Sequence, residues 1–240
     1  MGALLRGVPL VSPLFAGGPL LAALLTAGLV DGRAGLRDLG QRLLRWRVAP
    51  RWYAVVLALP IILVAAAVAL NTLLGGTAPH WTNRPDLATT GLMLALFLFL
   101  PIGAPLSEEV GWRGYALPRL LASRSALTAS LIIGVLWSVW HLPVVLTDPA
   151  TRPPAPFLLQ VPPLAVLFTW VFVNTRGSLL IAIVFHAWYD LVLMYVVAMV
   201  VSADYERVFW LLAAMQVLAA VVVLLVARWR PASRALAVGA

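Results

Sequence analysis

The sequence has 240 residues, 62% of them hydrophobic and only 11% charged, with a mean hydropathy of +0.97 and a net charge of +8. Soluble domains carry about 25% charged residues, so this composition excludes an ordinary soluble domain and points to an integral membrane protein. All seventeen basic residues are Arg and sit in short loops between apolar runs, without an aromatic-interleaved patch, which argues against nucleic acid as a partner; the absence of Cys excludes disulfides, thiol nucleophiles and thiolate metal sites.

A chain crossing hydrocarbon must satisfy its backbone polar groups internally, and no regular alternation indicates barrel strands. The expected fold is therefore all-α, a polytopic transmembrane bundle of about seven spans plus an amphipathic interfacial helix. Segment one runs from about Val8 to Val30 and reads as a retained span rather than a cleaved signal. From Asp31 to Arg51, leucines at i, i+3, i+7 and i+8 alternate with arginines, the pattern of an amphipathic helix on an anionic membrane face. Segment two covers Trp52 to Leu74. Segment three starts near Leu87 and leads into Leu106–Leu121; this stretch is too long for one upright span, with a break expected at Pro101, Gly103 and Pro105. Segments four to seven cover Ala126–Leu146, Phe157–Val173, Ser178–Val201 and Val208–Ala227. No repeat or low-complexity linker interrupts them, so 1–240 reads as one membrane domain with its motif-bearing core at 106–191.

Arginine placement predicts the topology. If the Asp31–Arg51 loop is cytoplasmic, thirteen of the seventeen arginines lie inside and only Arg6, Arg84, Arg152 and Arg207 outside. The prediction is an N-out, C-in protein of the bacterial cytoplasmic membrane, with the lipid bilayer as its medium.

The ionisable residues within or bordering the apolar segments are Glu108, Glu109, Arg113, His141, His186 and Asp190. Such groups in lipid must pair or face a cavity, so one shared polar site is expected. Helical rise places Glu109, His141 and His186 at about 21, 27 and 15 Å from their neighbouring turns, heights compatible with convergence. Glu109 and Arg113 are i and i+4 and can pair on one helix face, leaving Glu108 turned about 100° away. His186 and Asp190 have the same spacing, which lets the carboxylate hold one imidazole nitrogen and fix the tautomer presented by the other. Trp137, one turn before His141, is expected to pack beside it. A carboxylate with two histidines around a water-sized space suits peptide hydrolysis, by base-activated water with imidazole oxyanion donors or by metal-bound water. Neither H-E-x-x-H nor G-x-S-x-G is present.

Three spaced motifs, E-E-x-x-x-R at Glu108, Glu109 and Arg113, aromatic-x-x-x-His at Trp137 and His141, and His-x-x-x-Asn/Asp at His186 and Asp190, resemble the CAAX prenyl endopeptidase and bacteriocin-processing (CPBP, or Abi) family of intramembrane proteases, in its bacterial branch. The surrounding text, G-W-R-G-Y-A-L-P-R-L and W-S-V-W-H-L-P, fits the same resemblance. It implies Glu108 as the base that activates water, His141 helping to hold that water, His186 and residue 190 stabilising the oxyanion, and Glu109 and Arg113 shaping the site. It leaves open a metalloprotease alternative, in which Glu108, His141, His186 and Asp190 hold a zinc with an open position. Asp190 stands where the prenyl protease branch has Asn, and an ionised carboxylate cannot donate to an oxyanion; Asp190 must then be protonated, act through His186 or bind metal. The implied partner is a peptide or membrane-protein substrate of unspecified identity, without transfer of prenylated CAAX substrates from eukaryotic relatives. Two rival readings are a non-enzymatic bacteriocin-immunity or scaffold protein and a proton-coupled carrier, the latter disfavoured by the lack of internal repeats. Cofactor requirement and oligomeric state are not specified by the sequence.

Overall fold

The computed structural model describes residues 12–99 and 104–226, and every described element is helical. The helices are α1 (Ser12–Thr26), α2 (Gly32–Leu43), α3 (Pro50–Leu73), α4 (Leu87–Phe99), α5 (Ala104–Glu109), α6 (Leu117–Leu121), α7 (Ala126–Thr147), α8 (Pro154–Asn174), α9 (Leu179–Met199) and α10 (Tyr205–Val226). π-Helical turns at Ala27–Asp31 and Val110–Ala116 join α1 to α2 and α5 to α6. Among the described residues, six helical stretches are long and apolar enough to cross a membrane, and Leu87–Leu98 is a shorter apolar helix. The protein is an integral membrane bundle.

Local chemistry sets the boundaries. Ser125 and Ser178 accept from the backbone N–H groups of Thr128 and Ile181 at 3.1 and 3.2 Å and cap α7 and α9. Asp86 does the same for α4, accepting from Thr89 N at 2.7 Å, and this bond holds its carboxyl below the usual carboxylate range. Pro50 and Pro154 open α3 and α8, where a missing N–H costs nothing. Gly32, at φ +62°, marks the join between the π-turn after α1 and the amphipathic arginine helix α2.

The described chain ends α4 at Phe99 and resumes at Ala104; of the expected breakers, Pro101 and Gly103 lie outside the described residues, and Pro105 sits in the first turn of α5. The π-turn that follows was not foreseen. Its glycines admit neighbours: a Cβ on Gly111 would stand 2.6 Å from Pro19 Cβ, and one on Gly114 3.0 Å from Leu39 Cδ2. The turn is thus a close-approach surface for α1 and α2. The expected residues Arg6, Arg228, Arg230 and Arg234 lie outside the described residues.

α8 is the most buried of the long helices. Pro162 removes a donor from its ladder and frees the carbonyl of Leu158; Ser138 Oγ of α7 donates to that carbonyl at 2.9 Å. Gly134 makes the approach possible, since a Cβ there would lie 2.5 Å from Pro162 Cα. Farther along, Tyr189 Oη donates to Gln160 Oε1 at 3.0 Å and accepts from Gln216 Nε2 at 2.7 Å, tying α8, α9 and α10 together.

The interior divides into two apolar clusters. One gathers Trp52, Val56, Trp137, Phe168, Phe185 and Leu212; the other gathers Leu39, Val110, Leu117, Ile133, Phe172 and Leu179, and Trp112 touches both. The arginine loops group as topology requires. Arg176 Nη2 donates to Arg47 O at 2.8 Å, Ser178 Oγ to Arg45 O at 2.6 Å, and Arg119 pairs with Asp31, so these segments share one end of the bundle. At the other end, Asp204 accepts from Thr77 N at 2.7 Å and from Arg207 Nη2 at 2.8 Å, joining the loop after α3 to the start of α10.

Candidate active site

At the seam between the clusters, α5, the following π-turn, α7 and α9 bring polar side chains together. Glu108 is 3% exposed, His186 4%, and Glu109 and Arg113 are fully buried. Glu109 Oε1 accepts from Arg113 Nη1 at 2.9 Å, as the i, i+4 spacing predicts, and also from His186 Nδ1 at 2.8 Å. Glu108 turns away, as expected, and its Oε2 accepts from the indole Nε1 of Trp137. Adjacent carboxylates therefore serve different helices. Glu109 joins α9 to the π-turn, and Glu108 faces α7.

Arg113 is held by rings as well as charge. Its guanidinium carbon lies 4.2 Å from the Trp137 centroid and 4.4 Å from that of Phe168. Stacking between two aromatic faces leaves the planar fork little freedom, which fixes Glu109 in turn. Trp137 and Phe168 also stand edge-on to the His186 ring, at 5.3 and 5.6 Å.

His141 lies at a half-buried position, its ring 5.9 Å from Trp137. Its Nδ1 is 2.8 Å from the carbonyl of Trp137. A carbonyl only accepts, so the proton of a neutral ring resides on Nδ1, and Nε2 presents a lone pair. His186 is anchored in the same sense by Glu109. Asp190 stands beside His186 as the spacing predicts, at ion-pair rather than hydrogen-bond distance: Oδ2 is 3.6 Å from His186 Nε2, and the Asp190 side chain is 29% exposed. The structure thus gathers all six expected residues, with Glu108, Glu109, Arg113 and His186 buried and His141 and Asp190 half-buried.

Among the described residues no three His, Asp or Glu side chains converge as a ready ligand group, the four side chains of the metalloprotease alternative, Glu108, His141, His186 and Asp190, included. Nδ1 of each imidazole and Glu108 Oε2 have protein partners, which leaves both Nε2 atoms for other contacts.

Two contributors escaped the sequence reading. Trp137 was assigned to packing, although its spacing from His141 was visible; its N–H bond to Glu108 depends on α5 lying beside α7. Phe168 had no signal at all, being one apolar residue among many in α8.

The bundle thus holds a buried carboxylate beside two anchored imidazoles. Residues 89–192, which contain all six side chains, match the family model of type II CAAX prenyl endopeptidase Rce1-like proteins. The segment so matched is the one whose motifs carry the resemblance. It is also similar to CAAX prenyl protease 2 of Methanococcus maripaludis, at 34% identity over 98 residues covering 37% of this chain and 36% of that protein. The chain thus matches about a third of the length of the curated relative.

Proposed function

We propose that this protein is an intramembrane endopeptidase in which Glu108 activates water and His141 and His186 manage the rest of the proton and charge traffic. The observation that carries the reading is the division of labour between adjacent carboxylates. Glu109 Oε1 is held between the Arg113 and His186 donors, both cationic in the proposed reaction, and its Oε2 is buried without a partner, whereas Glu108 meets only the neutral indole N–H of Trp137 and turns to the α7 side that carries His141. Family membership of the segment supports the same reaction class.

In the proposed reaction, water is held between Glu108 and the Nε2 lone pair of His141. Glu108 takes one proton as the water oxygen bonds to the scissile carbonyl carbon, and the carbonyl electron pair moves onto its oxygen. His186 in its imidazolium form gives Nδ1–H to Glu109 and offers Nε2–H to that oxyanion. Collapse breaks the C–N bond, and the proton on Glu108 passes to the leaving amine. Asp190 stands near Nε2 and shapes the approach without fixing the ring.

The substrate is a peptide or membrane protein whose bond reaches into the bilayer. Trp137 and His186 stand eleven and seven residues into α7 and α9, about 16 and 10 Å from the arginine-rich end. We assign that end to the cytoplasm on charge. The test is cleavage of a membrane-peptide library by wild type, Glu108→Ala and His141→Ala, with and without a strong chelator. Folded but inactive variants and chelator-insensitive wild-type cleavage are expected. Loss of wild-type cleavage on chelation, restored by zinc, overturns glutamate-only activation. Equal binding of one partner by all three proteins, without cleavage, favours the immunity or scaffold reading.

A further inference from the structure

The arginine-rich end holds a second site, unrelated to the buried carboxylates. The loop between α2 and α3 and the turn between α8 and α9 enclose a cavity of about 250 Å³ lined by Gln41, Leu44, Arg45, Trp46, Arg47 and Arg176. Three arginines line it, and no Asp or Glu does. The walls are held by a reciprocal clasp: Arg45 donates to the carbonyl of Arg176, Arg176 Nη2 to that of Arg47 at 2.8 Å, and Ser178 Oγ to that of Arg45 at 2.6 Å.

Several features show positive charge gathered against its own repulsion. Arg176 adopts φ +58°, in the left-handed region where glycine is ordinarily placed, immediately before Gly177 at φ +73°. A long cation occupies a backbone position that suits no side chain well. Neighbouring Arg42 is buried, with Nη1 unpaired although Nε reaches Asp38 at 2.7 Å. Arg45 lies below the ordinary guanidinium range, first through burial and then through Arg42 and Arg176, with Asp38 opposing. Around the rim, Leu44 is 78% and Trp46 58% exposed, an apolar and an aromatic side chain of the kind that seats at headgroup level.

We propose that the Arg45–Trp46–Arg47 loop and the Arg176 turn form a binding site for the phosphate of an anionic phospholipid headgroup. The guanidinium forks supply the charge-assisted donors, while Leu44 and Trp46 meet the acyl boundary. Ser178, the cap of α9, lies on the clasp, so an occupied site braces the helix that carries His186.

The test uses the full chain in nonionic detergent, titrated separately with dioleoylphosphatidylglycerol, dioleoylphosphatidylcholine and sodium phosphate. Native mass spectrometry follows retained lipid, and thermal unfolding follows stability. Phosphatidylglycerol is expected to be retained and to raise the midpoint; phosphatidylcholine is not. Arg47 gives the clasp its carbonyl and not its guanidinium, so R47Q keeps the fold and is expected to weaken binding about fivefold. R45Q/R47Q weakens it further, and R84Q at the other end leaves it unchanged. Wild-type affinity in R47Q, or an equal loss in R84Q, overturns the site. A full midpoint shift with sodium phosphate that phosphatidylglycerol does not exceed assigns the cavity to free anions and overturns the lipid.

Discussion

Glu109 and His186, 77 residues apart in the chain, meet through Oε1 and Nδ1 at 2.8 Å, and the same oxygen receives Arg113 at 2.9 Å. One buried carboxylate oxygen is thus the joint between the π-turn and α9. Removing Arg113 takes away one of the two donors on that oxygen and leaves His186 alone to hold Glu109 in a dry interior. Arg113→Met is expected to cost about 3–5 kcal/mol, and Glu109→Gln less, because Gln still accepts both bonds through its amide oxygen. Thermal unfolding in detergent checks the order; an R113M midpoint at or above that of E109Q contradicts it.

Trp137 does two things at once, and they separate by substitution. Trp137→Phe keeps a ring beneath Arg113 but removes the donor to Glu108. A hydrogen bond to a charged group is worth about 1.5–3 kcal/mol, so cleavage is expected to fall roughly ten- to a hundredfold in kcat with the fold intact. Trp137→Leu removes the ring as well and should also lower the unfolding midpoint. Equal kcat in wild type and W137F would rule out a positioning role for the indole N–H.

Asp190→Asn tests who orients His186. Because Glu109 fixes the imidazole and Asp190 stands 3.6 Å off, the amide variant is expected to retain cleavage. It also provides a donor toward the oxyanion that an ionised Asp190 lacks. A loss as large as that of Glu108→Ala would return the orienting role to Asp190.

The α7–α8 crossing leaves no room at Gly134, where a Cβ would come 2.5 Å from backbone Cα of Pro162. Gly134→Ala is expected to cost about 1–3 kcal/mol by forcing the helices apart. Gly91 in α4 has nothing within 4 Å of its would-be Cβ, so Gly91→Ala should be neutral or stabilising by up to about 1 kcal/mol. Paired unfolding midpoints decide the matter.

The long helices were legible because continuous apolar runs bounded by Pro, Gly and Arg leave few alternatives. α3, α7, α8 and α9 fall within a few residues of their expected limits. The six ionisable site residues were legible for the opposite reason, as charges and imidazoles in an apolar text. The pairings were less so. Spacing along one helix predicts Glu109 with Arg113 and His186 with Asp190, but only packing between helices gives His186 to Glu109 and Trp137 to Glu108. The π-turn was hidden as well: its glycines face Pro19 and Leu39, from segments distant in sequence.

The seam between the two apolar clusters also has a consequence for biogenesis. Glu108, Glu109 and Arg113 leave the ribosome before Trp137, Phe168 and His186, while domains generally fold as units during N-to-C synthesis. The acidic pair gains its aromatic walls with α7 and α8 and its imidazole partner only with α9. The proposed proteolytic centre therefore does not exist on a half-made chain: on this reading a nascent chain cannot cut its neighbours until α9 has been delivered.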